Sequence, residues 1–196
     1  MRIFVAGATG VIGARVVSLL VQAGHDVAGM TRSAERASAV SDMGAVPVIC
    51  DVFDAEALRA AVVAFAPDVV MHQLTDLPDD ARDIPANPGA NARIRREGTR
   101  NLVDAATAAG ASLVIAQSVA WTLPGDGAAA VAELERMVLE VDGVVIRYGQ
   151  FYGMGTYHTE RPPDPPRIHI DDAARRTLAS LELRATTITL TEDRPD

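Results

Sequence analysis

Residues 2–13 constrain the fold of this chain more than any other stretch. The apolar run Arg2-Ile-Phe-Val-Ala ends in Gly7-Ala-Thr-Gly10-Val-Ile-Gly13, three glycines at three-residue spacing. An amphipathic segment with apolar Val16, Val17, Leu19, Leu20 and Ala23 follows at once. The pattern predicts a strand, a tight turn and a helix starting near Val11. Gly7 and Gly10 are expected to allow positive φ and a close backbone approach, and Gly13 to let the helix pack tightly on the strand. A helix N-terminus at this point offers unpaired N–H groups and a favourable dipole to a phosphate. Gly24 reads as the helix stop and Asp26 to Met30 as a second strand. Glycines also mark ordinary turns. A strand directly before and a helix directly after make this the arrangement that binds a dinucleotide pyrophosphate.

The alternation continues to the end of the chain. Val46 to Cys50, Val69 to His72, Ser112 to Gln117 and Gly143 to Arg147 read as strands. Ala34 to Met43, Ala55 to Phe65, Asn91 to Ala109 and Ala128 to Val141 read as the helices between them. A last helix, Asp171 to Leu183, and a strand, Thr186 to Leu190, follow. Short apolar strands separated by helices predict an α/β domain over residues 1–196, a doubly wound parallel sheet with helices on both faces. Two stretches break the rhythm. Asp76 to Gly89, rich in Asp and Pro, reads as a loop over the active-site edge. Tyr148 to Arg167 carries Gly149, Gly153, Gly155 and four prolines, and reads as a long active-site loop.

The net charge of −8 argues against a nucleic-acid surface, and no apolar run reaches membrane-spanning length. The first strand begins at Arg2, so no signal peptide is expected, and Cys50 is the one cysteine. An internal disulfide is therefore impossible, a cysteine-based metal cluster is not expected, and a reducing cytoplasmic setting fits. Cys50 is expected to be a buried strand-end residue. All 18 basic side chains are arginine, and there is no lysine.

Several segments resemble the extended and atypical branch of the short-chain dehydrogenase/reductase superfamily, the NAD(P)-dependent epimerases, dehydratases and reductases. Gly7-Ala-Thr-Gly10-Val-Ile-Gly13 is similar to that branch's glycine turn, and Pro67-Asp-Val-Val-Met-His72-Gln to its fourth-strand segment. Glu97-Gly98-Thr99-Arg-Asn101-Leu is similar to its middle helix, and Arg147-Tyr-Gly-Gln-Phe-Tyr152-Gly153 to its loop near the nicotinamide. Ile168-His169-Ile-Asp171-Asp172-Ala173-Ala174 is similar to its late helix start. The resemblance implies a Rossmann-type sheet with a nicotinamide dinucleotide held by Gly7, Thr9, Gly10, Val11, Ile12 and Gly13. It also implies contacts from Thr31, Arg32, Asp51, Val52, Gln73 and Leu74. A carboxylate at the end of strand two would favour NAD, whereas a cation would favour NADP. Thr31 fills the acidic slot and Arg32 follows, so NADP is expected, with NAD possible. Arg32 also reads as a solvated helix-start residue, and Asp54 as a cap for the next helix.

The family's usual chemistry needs a Ser or Thr hydroxyl, a Tyr, and a Lys four residues after the Tyr that lowers the phenol's pKa. Ser118 stands where the hydroxyl is expected, though it also reads as an ordinary strand-end serine. The Tyr and Lys positions fall within Gly125 to Val131, which is Gly-Asp-Gly-Ala-Ala-Ala-Val. Tyr152, Tyr157 and His158 in the long loop, and His72 and Asp76 at the end of strand four, are the substitute acid/base candidates. Of these, Tyr152 and His158 join Ser118 as the catalytic set, and no metal site is expected. His169 is expected to orient the last helix, capped by Asp171 or Asp172. Arg93, Arg95, Arg96 and Arg100 cluster on one helix, where they could hold a phosphate or an acidic substrate or form a solvated face. The family's C-terminal substrate lobe is expected to be largely missing. The resemblance implies a small-molecule substrate and a homodimer or partner chain. Two readings stay open: an enzyme of reduction, epimerisation or non-redox isomerisation or elimination, and a non-catalytic NAD(P)-binding sensor or scaffold.

Overall fold

The structure, a computed structural model, describes residues 1–78, 80–82 and 88–192. Strand β1 (Arg2–Ala6) leads through the glycine turn into helix α1 (Val11–Gln22), and β2 (Asp26–Thr31) follows. Helix α2 (Ala37–Asp42), β3 (Val46–Ile49), α3 (Ala55–Phe65) and β4 (Val69–His72) complete the first half. The second half begins with α4 (Pro88–Arg93), a π-helical turn (Ile94–Gly98) and α5 (Thr99–Ala109), three segments of one helical run. Then come β5 (Leu113–Val119), α6 (Gly125–Leu139) and β6 (Val144–Tyr148). A small parallel pair, β7 (Gln150–Tyr152) with β8 (Arg167–His169), precedes α7 (Ile170–Thr177) and β9 (Thr186–Leu190).

Seven strands form one parallel sheet in the order β3-β2-β1-β4-β5-β6-β9. The order reverses between β1 and β4, which opens a crevice at the carboxyl ends of the strands, where such sheets bind ligands. The central strands β1, β2, β4, β5 and β6 are largely buried on both faces, so they read as apolar runs and not as alternating ones, whereas the edge strands β3 and β9 are more exposed. On β1, Ile3 and Val5 face α1 and α7 together with Val16, Leu20, Ile170 and Ala174. Phe4 and Ala6 face the opposite layer, with Leu58, Leu102, Ala105, Leu134 and Val138. Full burial of a side chain such as Leu20 or Leu102 stabilises the fold by roughly 2 kcal/mol.

The doubly wound sheet is as expected, with boundaries shifted by a few residues. Helix α6 starts at Gly125, three residues earlier than the periodicity suggests. The stretch Tyr148 to Arg167 is not all loop, because its two ends pair as β7 and β8. Residues 79 and 83–87 of the Asp76–Gly89 loop lie outside the described residues. Among the described residues no helix is long and apolar enough to cross a membrane.

Candidate active site

The glycine turn is built by exclusion of side chains. Gly7 has φ +91°, and a Cβ on it would lie 2.6 Å from the Gln73 carbonyl oxygen. A Cβ on Gly13 would lie 2.0 Å from the Gly7 carbonyl oxygen, so α1 seats directly on the turn. Gly10 differs from the expectation of positive φ. It is extended, with φ −76° and ψ 169°, and its N–H donates to the Gly7 carbonyl at 3.1 Å. The N–H groups of Gly7 and Ala8 both donate to the Met30 carbonyl, which fixes the turn to the end of β2. No side chain caps α1. The N–H groups of Val11, Ile12 and Gly13 therefore keep donor capacity at the positive end of the helix dipole.

Around this turn the structure gathers the other expected contacts. Thr31 is buried at the end of β2, with its Oγ1 3.3 Å from Thr9 Oγ1. Arg32 is not simply a solvated residue. Its Nη2 donates to Asp76 Oδ1 at 3.1 Å and so spans from β2 to the segment after β4. Gln73 is buried beside the turn, and Leu74 N–H donates to His72 Nδ1 at 3.2 Å. At the end of β3, Asp51 is exposed and accepts from Phe53 N–H, whereas Val52 is buried and its carbonyl accepts from Asn101. Asp54 caps α3 by accepting from Ala57 N–H at 3.0 Å. Cys50 is buried, and burial, followed by Asp54 and Asp51, pushes its thiol pKa up, as suits an inert strand-end residue.

The three expected catalytic residues are not brought together by hydrogen bonds among the described residues. Ser118 Oγ donates to Glu135 Oε1 at 2.6 Å. Arg147 grips the same carboxylate, Nε to Oε1 at 2.8 Å and Nη2 to Oε2 at 2.5 Å. Burial pushes the Glu135 pKa up, but the hydrogen bonds from Arg147 and Ser118 outweigh it and hold the group below its ordinary value. Glu135 escaped sequence reasoning. Its signal was an acidic residue beside Leu134 and Val138 on the buried side of α6, opposite the one arginine in β6. Asp126, the only ionisable residue in the Gly125–Val131 stretch, turns away to Arg96 at 2.6 Å.

Tyr152 belongs to a separate cluster. Its hydroxyl donates to Glu192, which also pairs with Arg167 at 3.0 Å, and its ring stands edge-on to His169. The Glu192 carboxylate, more than burial, raises the Tyr152 pKa, opposite to what a proton carrier near neutrality needs. His158 sits in a tight turn where its carbonyl accepts from Gly153 and its N–H donates to Thr156 Oγ1. Arg15 ties this turn to α1, donating to the carbonyls of Met154 and Val11. The Tyr157 hydroxyl donates to the Pro78 carbonyl beyond β4. Tyr148, the remaining tyrosine, is buried against Thr177, and burial pushes its pKa up to about 12. His169 is itself the cap of α7, accepting from Asp171 N–H at 3.3 Å. Asp171 instead pairs with Arg15 and Asp172 with Arg175, so neither aspartate caps the helix. Among the described residues no three His, Cys, Asp or Glu side chains are grouped to hold a metal ion.

The sequence model of the NAD dependent epimerase/dehydratase family matches residues 3–137. The chain belongs to that family. One relative, a 3-diazoavenalumate denitrifying reductase from a Streptomyces species, is 37% identical over 238 positions, covering 100% of this chain and 77% of the relative. That span exceeds the 196 residues of this chain, so the relative carries additional residues inside the matched region. The fold is that of the UDP-glucose 4-epimerase of Thermus thermophilus solved with NAD, at TM-score 0.79 and 21% identity, covering 97% of this chain and 78% of that one. The UDP-glucose 4-epimerase of Thermotoga maritima, solved with UDP-glucose, matches with TM-score 0.79 and 17% identity, covering 97% of this chain and 77% of that one.

Proposed function

We propose that this family member binds NADP at the glycine turn and reduces a small organic substrate. The observation that carries the reading is the uncapped N-terminus of α1, seated on Gly7 and Gly13, with the Arg32 guanidinium at the end of β2. The residues present fit the dinucleotide. Backbone N–H groups of Val11, Ile12 and Gly13 suit a pyrophosphate, Thr9 and Thr31 supply hydroxyls near a ribose, and Arg32 suits a 2′-phosphate. Gln73, buried next to the turn, adds a polar side-chain amide beside the Tyr148 hydroxyl. When bound, NADPH supplies a hydride. Reduction is chosen over epimerisation or elimination because the Streptomyces relative is named as a reductase.

The proton that accompanies reduction comes from Ser118 with water. Glu135, itself fixed by Arg147, orients the Ser118 hydroxyl but also accepts its hydrogen. A positioned donor typically contributes about 10²- to 10⁴-fold, so turnover is expected to be slow without the Tyr–Lys pair. The same geometry favours a second reading, a non-catalytic NAD(P)-binding protein, because the hydroxyls of Ser118 and Tyr152 are both engaged by carboxylates. Fluorescence titration with NADPH and NADH tests the binding. Tighter binding of NADPH is expected, tighter NADH would overturn the role of Arg32, and binding of neither would overturn both readings. Loss of nicotinamide absorbance with a panel of carbonyl and unsaturated compounds then separates enzyme from binding protein.

A further inference from the structure

The turn of residues 153–158, between β7 and β8, is tied to both walls of the β1–β4 crevice. On one wall it meets α1. Arg15, one turn into that helix, donates through Nη2 to the Met154 carbonyl at 2.7 Å and through Nη1 to the Val11 carbonyl at 2.9 Å. Its Nε donates to Asp171 of α7 at 2.7 Å. A Cβ on Gly155 would lie 3.6 Å from Val11 Cγ2, so the turn runs within contact range of the first residue of α1. On the other wall the Tyr157 hydroxyl donates to the carbonyl of Pro78, beyond the end of β4.

The wall beyond β4 is held in place by other elements. The Leu74 carbonyl accepts from Gln117 Nε2 of β5 at 2.8 Å, and Asp76 N–H donates to Asn91 Oδ1 of α4 at 3.2 Å. The Asp76 carboxylate accepts from Arg32 at the end of β2. The turn itself is braced from within. Gly153 N–H donates to the His158 carbonyl, Thr156 donates through N–H and Oγ1 to the Gly153 carbonyl, and His158 N–H donates to Thr156 Oγ1. Gly153, at φ +109°, is seated against the His169 ring, where a Cβ would lie 2.7 Å from Nε2. The two ties differ in kind. The Arg15 tie joins a charged, partly buried side chain to three acceptors, whereas Tyr157 stays 42% exposed and water competes for its hydroxyl.

We propose that residues 153–158 form a strap that closes the dinucleotide crevice, with Arg15 as its anchor and the Tyr157 hydroxyl on the Pro78 carbonyl as its latch. This rests on the proposed nucleotide site and adds a gate to it. Opening the latch frees the Tyr157 side of the strap while the Met154 side stays on α1. Val11, whose N–H is among the donors offered to a pyrophosphate, is the residue beside Gly155, so a nucleotide reaching that N–H passes the strap. The latch joins two parts of this chain. Breaking it therefore changes how often the crevice is open, for entry and exit alike, and such a gate scales both rates while leaving affinity in place.

The test follows NADPH binding to the whole chain by stopped-flow fluorescence, with dissociation measured by displacement with excess NADP. Tyr157→Phe keeps the ring and removes the latch hydroxyl. Association and dissociation should both speed about fivefold, the worth of one hydrogen bond, with the dissociation constant within about twofold of wild type. Met154→Ala, which shortens a side chain that is 83% exposed and leaves both ties in place, should change neither rate. Hydrogen exchange read by mass spectrometry follows the strap without cofactor. The amides of residues 153–158 should exchange faster in Tyr157→Phe, and those of α1 should not. Unchanged binding rates, or faster dissociation alone, which marks a direct ligand contact, would overturn the gate. If the wild type binds neither NADPH nor NADH, the cofactor reading falls, and exchange then decides the strap: faster exchange confined to residues 153–158 upholds it, and equal exchange in the two proteins overturns it.

Discussion

The two halves of the carboxyl edge treat their polar groups in opposite ways. At β1, β2 and β4 the chain removes side chains at Gly7, Gly10 and Gly13 and leaves the α1 N–H groups uncapped. At β5, β6 and β9 it adds charged side chains and lets them satisfy one another, as in Ser118–Glu135–Arg147 and Tyr152–Glu192–Arg167. A backbone anion site persists for as long as the turn folds. A catalytic hydroxyl needs a hydrogen free to move, and a neighbouring carboxylate claims it. The glycine turn thus keeps its backbone donors open, whereas the polar side chains of Ser118 and Tyr152 are largely knitted into the fold.

The largest effect should come from the glycines, and they should not behave alike. Gly13→Ala puts a methyl group 2.0 Å from the Gly7 carbonyl oxygen, where neither backbone can yield without moving α1. A loss of about 3 kcal/mol or more is expected, together with loss of NADPH binding. Gly10→Ala meets the same oxygen at 3.3 Å with an ordinary φ, and should cost only about 1 kcal/mol or less. Thermal unfolding and NADPH titration of the two variants check this. Equal damage would mean the turn tolerates no side chain at any of its glycines.

Next in size is the Glu135 cluster. Arg147→Met leaves a mostly buried carboxylate with only the Ser118 hydroxyl, and should cost about 2–3 kcal/mol, since Arg147 itself is half exposed. The pH dependence follows from the sign of the shift. The folded-state pKa of Glu135 is depressed, so its stabilisation is fully present above the unfolded carboxylate value near 4.5. It is lost as pH falls from there through the folded value. Urea unfolding between pH 7 and pH 3 should show a shallower acid loss for Glu135→Gln than for the wild type. An unchanged slope would mean that Glu135 titrates as if free.

A smaller and more selective effect is expected at Arg32. Its pair with Asp76 is exposed on the arginine side, and such pairs contribute about 0–1 kcal/mol, so Arg32→Ala should leave stability nearly unchanged. NADPH affinity should fall about tenfold, the worth of one charge-assisted phosphate contact, while NADH affinity holds. Asp76→Asn frees Arg32 and removes a like charge near the 2′-phosphate, so NADPH should bind more tightly. Parallel loss of NADH and NADPH affinity in Arg32→Ala would remove Arg32 from phosphate recognition.

The sheet was legible because burial on both faces forces apolar runs, and the glycine turn because its spacing has a backbone cause. The catalytic half was less legible. Ser118 gave no hint of its hydrogen-bond partner, since Glu135 lies 17 residues away and meets it only when α6 folds back on β5. The cap of α7 was misassigned because His169 accepts through a ring nitrogen, whereas Asp is the commoner capping residue. The arginine helix looked uniform in sequence, yet the π-helical turn and α6 divide it into three guanidinium groups paired with carboxylates and one, Arg95, without such a pair among the described residues.

The smallest expected effect is at Tyr152, and it decides how far the β5, β6 and β9 half has been given over to structure. Tyr152→Phe removes one hydroxyl that donates to Glu192, while Arg167 still pairs with that carboxylate. The loss should be about 1 kcal/mol, and any NADPH-dependent turnover should be unchanged. Ser118→Ala removes a similar hydrogen bond and should cost a similar amount, but turnover should fall with it if Ser118 supplies the proton. The two hydroxyls are alike in being held by a carboxylate that an arginine also grips. They differ in that Ser118 lies on the sheet face shared with His72. If both variants keep full turnover, the proton comes from water alone. If Tyr152→Phe is the damaging one, the active centre lies at the β7–β8 pair, away from the end of β5.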